Sequence, residues 1–184
     1  MAYTYLGDSM KNNLFKFSII GFIFVSITGS LSHFVFEWSG YNLAVAAVFP
    51  VNESIWEHLK LLFFPYLIWN VIEYYLLKKE KGLLMSKFIA SIIGMASIVI
   101  FYYTYTGISG KSIEILNILS FFIGVSISFV TDNYLIKSKK FSDSKYDTLA
   151  IALFIGTGAL FFIYTFVPPF IPLFEDPINS TYGV

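Results

Sequence analysis

Two histidines and several glutamates stand where a strongly apolar chain has little reason to carry them. His33 and Glu37 lie in "LSHFVFEWSG" (31–40), and Glu53, Glu57 and His58 lie in "PVNESIWEHLKLLFFP" (50–65). Imidazole nitrogen combined with carboxylate oxygen suits zinc, manganese or iron. His33, Glu37, Glu53 and His58 are therefore the candidate ligands of a divalent metal. Glu53 and Glu57 are the candidate catalytic carboxylates, one of which would act as general base on metal-bound water. The spacing is not a standard metal signature, and no H-E-x-x-H occurs. A hydrogen-bond network anchoring an external loop would account for the same residues without a metal. Cysteine is absent, which excludes thiolate metal sites, disulfides and cysteine nucleophiles.

Part of this cluster has a local explanation. "SIWE" reads as a capping box, with Ser54 as N-cap and Glu57 three residues on. Lys60 stands three residues beyond Glu57, within reach of an ion pair on one helix face. Glu53 precedes the cap without a local partner. His33 and Glu37 are one helical turn apart, so a continuous helix would present both on one face.

A second polar group comprises Glu73, Lys87, Asp132 and Asn133. Glu73 and Lys87 flank the turn "KKEKG" at similar distances, so antiparallel helices would pair them. Ionisable residues inside a membrane are functional candidates by default. Glu73 and Asp132 are accordingly the candidate residues of a proton or cation path, running on to the first group.

The elements that must position these residues follow from composition. Of 184 residues, 57% are hydrophobic and 13% charged, where a soluble domain has about a quarter charged. Mean hydropathy is +0.71, so the solvent of this surface is lipid. Net charge is zero and all 12 basic residues are lysine, which argues against nucleic acid as a partner. Five stretches reach the roughly 20 residues needed to cross a bilayer: 14–36, 59–77, 83–105, 113–136 and 148–170. The expectation is one all-α domain over 1–184, a bundle of about five transmembrane helices.

Lysine distribution orients it. Lys11, Lys16, Lys78, Lys79, Lys81, Lys87, Lys137, Lys139, Lys140 and Lys145 share one side, against Lys60 and Lys111 on the other. That predicts a cytoplasmic N-terminus and an external C-terminus. The loop 37–53 is then external, with Leu43–Phe49 dipping into or lying along the interface. The tail 168–184 carries Pro168, Pro169, Pro172 and Pro177, cannot continue a helix, and should run extended across the outer face. Gly156, Gly158 and Ala159 suit close helix packing.

"LSHFVFEWSG", "PVNESIWEHLKLLFFP" and the tail "PPFIPLFEDPINSTYGV" (168–184) resemble a family of small bacterial multi-pass membrane proteins catalogued only as a domain of unknown function. The resemblance implies a bacterial cytoplasmic membrane and about five helices, and no particular reaction. Three functional expectations stand together. The first is an outward-facing His/Glu site for a divalent metal or small polar ligand, as in a metal-assisted hydrolase or transferase acting on a lipid-type substrate. The second is a small transporter or channel using Glu73 and Asp132. The third is a non-catalytic structural or accessory subunit; a homo-oligomer is plausible for a chain this small.

Overall fold

In the computed structural model, residues 2–77 and 82–184 are described; the expected lysine-rich turn with Lys78, Lys79 and Lys81 lies outside them. The elements are α1 (Ala2–Ser32), α2 (Val35–Trp38), α3 (Leu43–Ala46), α4 (Ile55–Leu76), α5 (Leu83–Ser109), α6 (Glu114–Ser138) and α7 (Ser144–Phe166). Among the described residues there is no strand beyond an isolated bridge, Glu175 to Tyr182.

Four helices are long and apolar enough to cross a membrane: Leu14–Ser32 of α1, and α5, α6 and α7. Their outer faces carry Ile23, Ile27, Ile100, Val130, Ile155 and Phe162 exposed, the surface a helix shows when lipid is its solvent. α4 is 22 residues long, but Glu57, Lys60, Asn70 and Glu73 lower its hydropathy. It is the interior helix, packed on α1, α5, α6 and α7, and those four polar side chains are all buried. Polar residues are tolerated in a membrane bundle where they face protein instead of lipid.

α4 continues through Pro65. Proline removes the donor to the carbonyl four residues earlier, which is that of Leu61. Gly29 lets α1 come up against this oxygen: a Cβ at Gly29 would lie 2.5 Å from it. Gly94 and Gly124 do the same for α5 and α6, each within 3.0 Å of the other's carbonyl oxygen if given a Cβ. Gly156 and Gly158, expected in close packing, face open space instead. The apolar core between these helices includes Leu62, Phe63, Val125, Phe129 and Phe161.

The first span does not run to residue 36. α1 ends at Ser32, Phe34 N–H bonds back to the Leu31 carbonyl at 3.1 Å, and Glu37 falls on the separate α2. The hydroxyls of Thr28 and Ser32 donate to carbonyls four residues earlier, a habit that loosens and bends a helix. His33 and Glu37 therefore do not share one helix face. The tail differs as well: it folds into turns that return to α4, with Trp56 N–H bonded to Leu173 O at 3.0 Å and Asp176 N–H to Thr181 O at 2.8 Å. Asp176, 2% exposed, organises it by accepting from the backbone of Ile178 at 2.8 Å and the side chain of Asn179 at 3.0 Å.

Candidate metal centre

Local chemistry starts α4 where the sequence indicates. Ser54 is the N-cap, its hydroxyl accepting from Glu57 N–H at 3.3 Å. The reciprocal half of the box is rewired: Ser54 N–H bonds to Asn52 Oδ1 at 2.9 Å, and Glu57 accepts from Val51 N–H at 3.1 Å. Glu57 also meets Lys60 at 2.7 Å, and Thr165 of α7 donates to it at 2.8 Å. Lys60, fully covered, gives its remaining protons to the Ala46 carbonyl at 2.9 Å and Thr165 Oγ1 at 2.6 Å. This knot ties α3, α4 and α7 together, and it removes the Glu57 carboxylate from any open site.

Glu53 takes the other direction. Its two carboxylate oxygens reach both histidines, Oε1 at 3.6 Å from His33 Nε2 and Oε2 at 3.4 Å from His58 Nε2. The two imidazole rings lie 5.2 Å apart. One ligand atom from each of His33, Glu53 and His58 lies within 4.8 Å of the others. All three are half-buried. They come from the end of α1, the loop before α4 and the first turn of α4, so only the tertiary fold brings them together.

The hydrogen-bond state of His58 defines what the site wants. Its Nδ1 lies 2.9 Å from the Ser54 carbonyl. A carbonyl only accepts, so Nδ1 carries the proton. In a neutral ring, Nε2 then presents a lone pair to Glu53 Oε2, acceptor against acceptor. A proton shared between the two, or a metal ion between them, removes that mismatch. Both His–Glu separations exceed the 2.7–3.2 Å of a good N–H···O bond. They run to the two different oxygens of one carboxylate, so each imidazole faces its own oxygen across a gap. His33 Nδ1 is buried without a partner. The His58 ring beside it is the main reason the Glu53 carboxyl sits below its usual value, with burial opposing.

Beside the cluster is a cleft of about 350 Å³, walled by His33, Phe36, Glu37, Tyr41, Asn52 and Glu53. Gly40 and Tyr41, at φ 71° and 61°, make the turn that folds the loop over it. For tyrosine this left-handed conformation is uncommon, and it places the ring edge-on to Phe36 at 5.5 Å. Glu37, exposed on α2, lines this cleft and does not join the three-residue cluster. Exposed Phe34 lines the same cleft and stacks on exposed Trp38 at 5.8 Å.

The second polar group forms a separate buried centre. Lys87 Nζ is 2.7 Å from Glu73 and 2.5 Å from Asp132, each 2% exposed or less. The Glu73–Lys87 pairing follows the expectation from the turn, and Asp132 joins it from α6. Leu62, Phe63, Val125, Phe129 and Phe161 are buried between this centre and the Glu57–Lys60 knot. Sequence reasoning had no signal for Thr165, whose partner Glu57 lies 108 residues away in the chain. The buried Tyr66 and Asn70 were visible only as members of an apolar stretch.

Residues 7–184 match a family described as a Family of unknown function (DUF6512). No curated protein and no solved structure matches the chain.

Proposed function

The chain belongs to the DUF6512 family, which assigns it no activity, and from the geometry we propose that His33, Glu53 and His58 bind a divalent metal at one mouth of the helix bundle. The observation that carries this is the convergence of His33 Nε2 and His58 Nε2 on the Glu53 carboxylate at 3.6 and 3.4 Å, with His58 Nδ1 committed to Ser54. The Ser54 carbonyl would do for His58 what outer-shell acceptors do for metal-bound histidines elsewhere, fixing tautomer and ring angle. Two imidazoles and one carboxylate leave a fourth position open, the arrangement of catalytic rather than structural zinc sites. Zinc, manganese and iron all suit the donors.

The adjoining cleft gives the open position a substrate. Its acidic wall and apolar rim suit a molecule that is polar at one end and greasy at the other, so the reading extends to metal-assisted hydrolysis or transfer on a lipid-type substrate. A bound ion would supply Lewis acidity and a water acidified toward neutrality. Glu37, in the cleft and outside the ligand set, would be the base that takes up the proton of that water, and Glu57, locked to Lys60 and Thr165, would not. The test is elemental analysis of protein purified without chelator, wild type beside His33→Ala, His58→Ala and Glu53→Gln. One equivalent of metal in wild type, lost in the variants, is expected. A wild-type protein free of stoichiometric metal sinks the proposal and leaves a protonated His58–Glu53 clasp.

A further inference from the structure

The two buried charge centres differ in their arithmetic. The Glu57–Lys60 knot has one acid and one base, and its hydrogen bonds are complete. The other centre has two acids, Glu73 and Asp132, for one base, Lys87. With all three ionised it would hold an uncompensated negative charge among α4, α5 and α6, where a lone charge is neutralised sooner than tolerated. It also has polar atoms to spare. Asp132 Oδ1 is buried without a partner, and so are the Tyr66 hydroxyl and both side-chain atoms of Asn70. Helical spacing puts Tyr66, Asn70 and Glu73 on one face of α4, and the Tyr66 ring lies 5.6 Å beneath the Lys87 ammonium.

We propose that the Glu73–Lys87–Asp132 cluster is a proton-binding site, which takes up one exchangeable proton on Asp132 Oδ1. The step is a simple addition: the Asp132 carboxylate takes H⁺ from water and becomes a carboxylic acid, and no other bond changes. The cluster then becomes neutral, with the Tyr66 hydroxyl, which lies beside Asp132, able to donate to either form of the carboxyl. A sodium or potassium ion would supply the same charge, but Lys87 already occupies the space between the two carboxylates. The titratable groups facing the site are Tyr66 and Glu73 from α4, Lys87 from α5 and Asp132 from α6. α1 contributes Ser18, bonded to Asn133, and Asp147 at the start of α7 is bound to the amides of Gly82 and Leu84.

The two directions of exchange differ. Glu73 lies three residues from the end of α4 and Lys87 four from the start of α5, roughly 5–6 Å along each helix. In the opposite direction lie Leu62, Phe63, Val125, Phe129 and Phe161, and the buried hydroxyls at that level, Ser91 and Ser128, are bonded to the carbonyls of Phe88 and Gly124 in their own helices. The α4–α5 end is therefore the shorter way in for the proton.

Infrared spectra of the full-length protein in lipid nanodiscs, in water and in deuterium oxide, test this. Titrated from pH 8 to pH 5, wild type should gain the C=O stretch of one buried carboxylic acid, shifted by deuterium. Asp132→Asn should abolish it, and so should Glu73→Gln, because a single acid then balances Lys87. Lys87→Gln should double the band. No acid band in wild type, a band surviving both Asp132→Asn and Glu73→Gln, or a band titrated away by sodium at constant pH would each overturn the proposal. The wild-type measurement decides even if a variant fails to fold. Glu53→Gln, which tests the metal, should leave the band unchanged, so the two readings fail separately.

Discussion

Replacing Lys60 by methionine probes the knot that lies beside the candidate metal site. Methionine keeps most of the volume of the lysine stem, so packing changes little. What disappears is the 2.7 Å contact to Glu57 together with the donors to the Ala46 carbonyl and Thr165. Glu57 would remain 2% exposed as an unpaired carboxylate. Breaking a buried pair by removing one partner costs about 3–5 kcal/mol. For a chain of this size each kcal/mol moves Tm by roughly 2–4 °C, so the midpoint should fall by about 6–20 °C. Lys60→Met with Glu57→Gln removes both charges, and replacing a whole buried pair is close to neutral. The double variant should therefore regain at least about 2 kcal/mol over the single one. Thermal unfolding in detergent, run as a double-mutant cycle, measures this. A Lys60→Met protein within about 1 kcal/mol of wild type, or simple additivity in the cycle, would refute the claim that the pair is buried and mutually dependent.

Glu53→Gln should behave oppositely to any change at Glu57, losing metal while shifting Tm by no more than a few degrees; elemental analysis beside thermal unfolding separates the two neighbours. Metal-free protein should lose the Glu53 contribution in acid. The carboxyl sits below its usual value of 4.5 in the folded state, so its stabilisation is present above that value and is lost as pH falls through the folded one; an acid titration in which Glu53→Gln and wild type track each other would contradict this. Asp176→Ala should free the tail from the outer loop at a cost of about 1–3 kcal/mol, read as faster proteolysis after residue 168 and weaker metal retention. Gly94→Ala would place a Cβ 1.9 Å from Ser128 Oγ and 2.7 Å from Gly124 O, costing about 1–3 kcal/mol, whereas Gly156→Ala, in open space, should be neutral or slightly stabilising.

Much of the local structure was legible because its causes are local. Ser54 caps α4 because a serine three residues ahead of a glutamate can satisfy an orphan amide. Glu57 meets Lys60 because three residues is nearly one turn, and Glu73 meets Lys87 because a short turn makes their helices antiparallel. The helix termini near the site were less legible. A continuous first span carried His33 and Glu37 on one face, and hydroxyl back-bonding with a tightened last turn ended α1 at Ser32 instead. The tail's prolines excluded a helix, as expected, but proline content says nothing about where a chain folds back. That was decided by Asp176 gathering the donors around it.

Composition and patterning by themselves determined that this chain is a bundle of apolar helices with its ionisable residues sorted into two groups. Lipid as solvent leaves an exposed apolar face no alternative, and it forces charged side chains inward wherever they occur. Which of those side chains meet was another matter. Glu53 bridges His33 and His58, Thr165 completes the bonds of Glu57 from 108 residues away, and Asp132 joins Lys87 from 45 away. These contacts depend on the rotation and depth at which α1, α4, α6 and α7 settle. Packing around Gly29, Gly94 and Gly124 sets those quantities, and no periodicity along the chain encodes them. So the sequence named the acids and bases, and the tertiary structure decided that one glutamate is a strut and its neighbour four residues earlier is the candidate ligand.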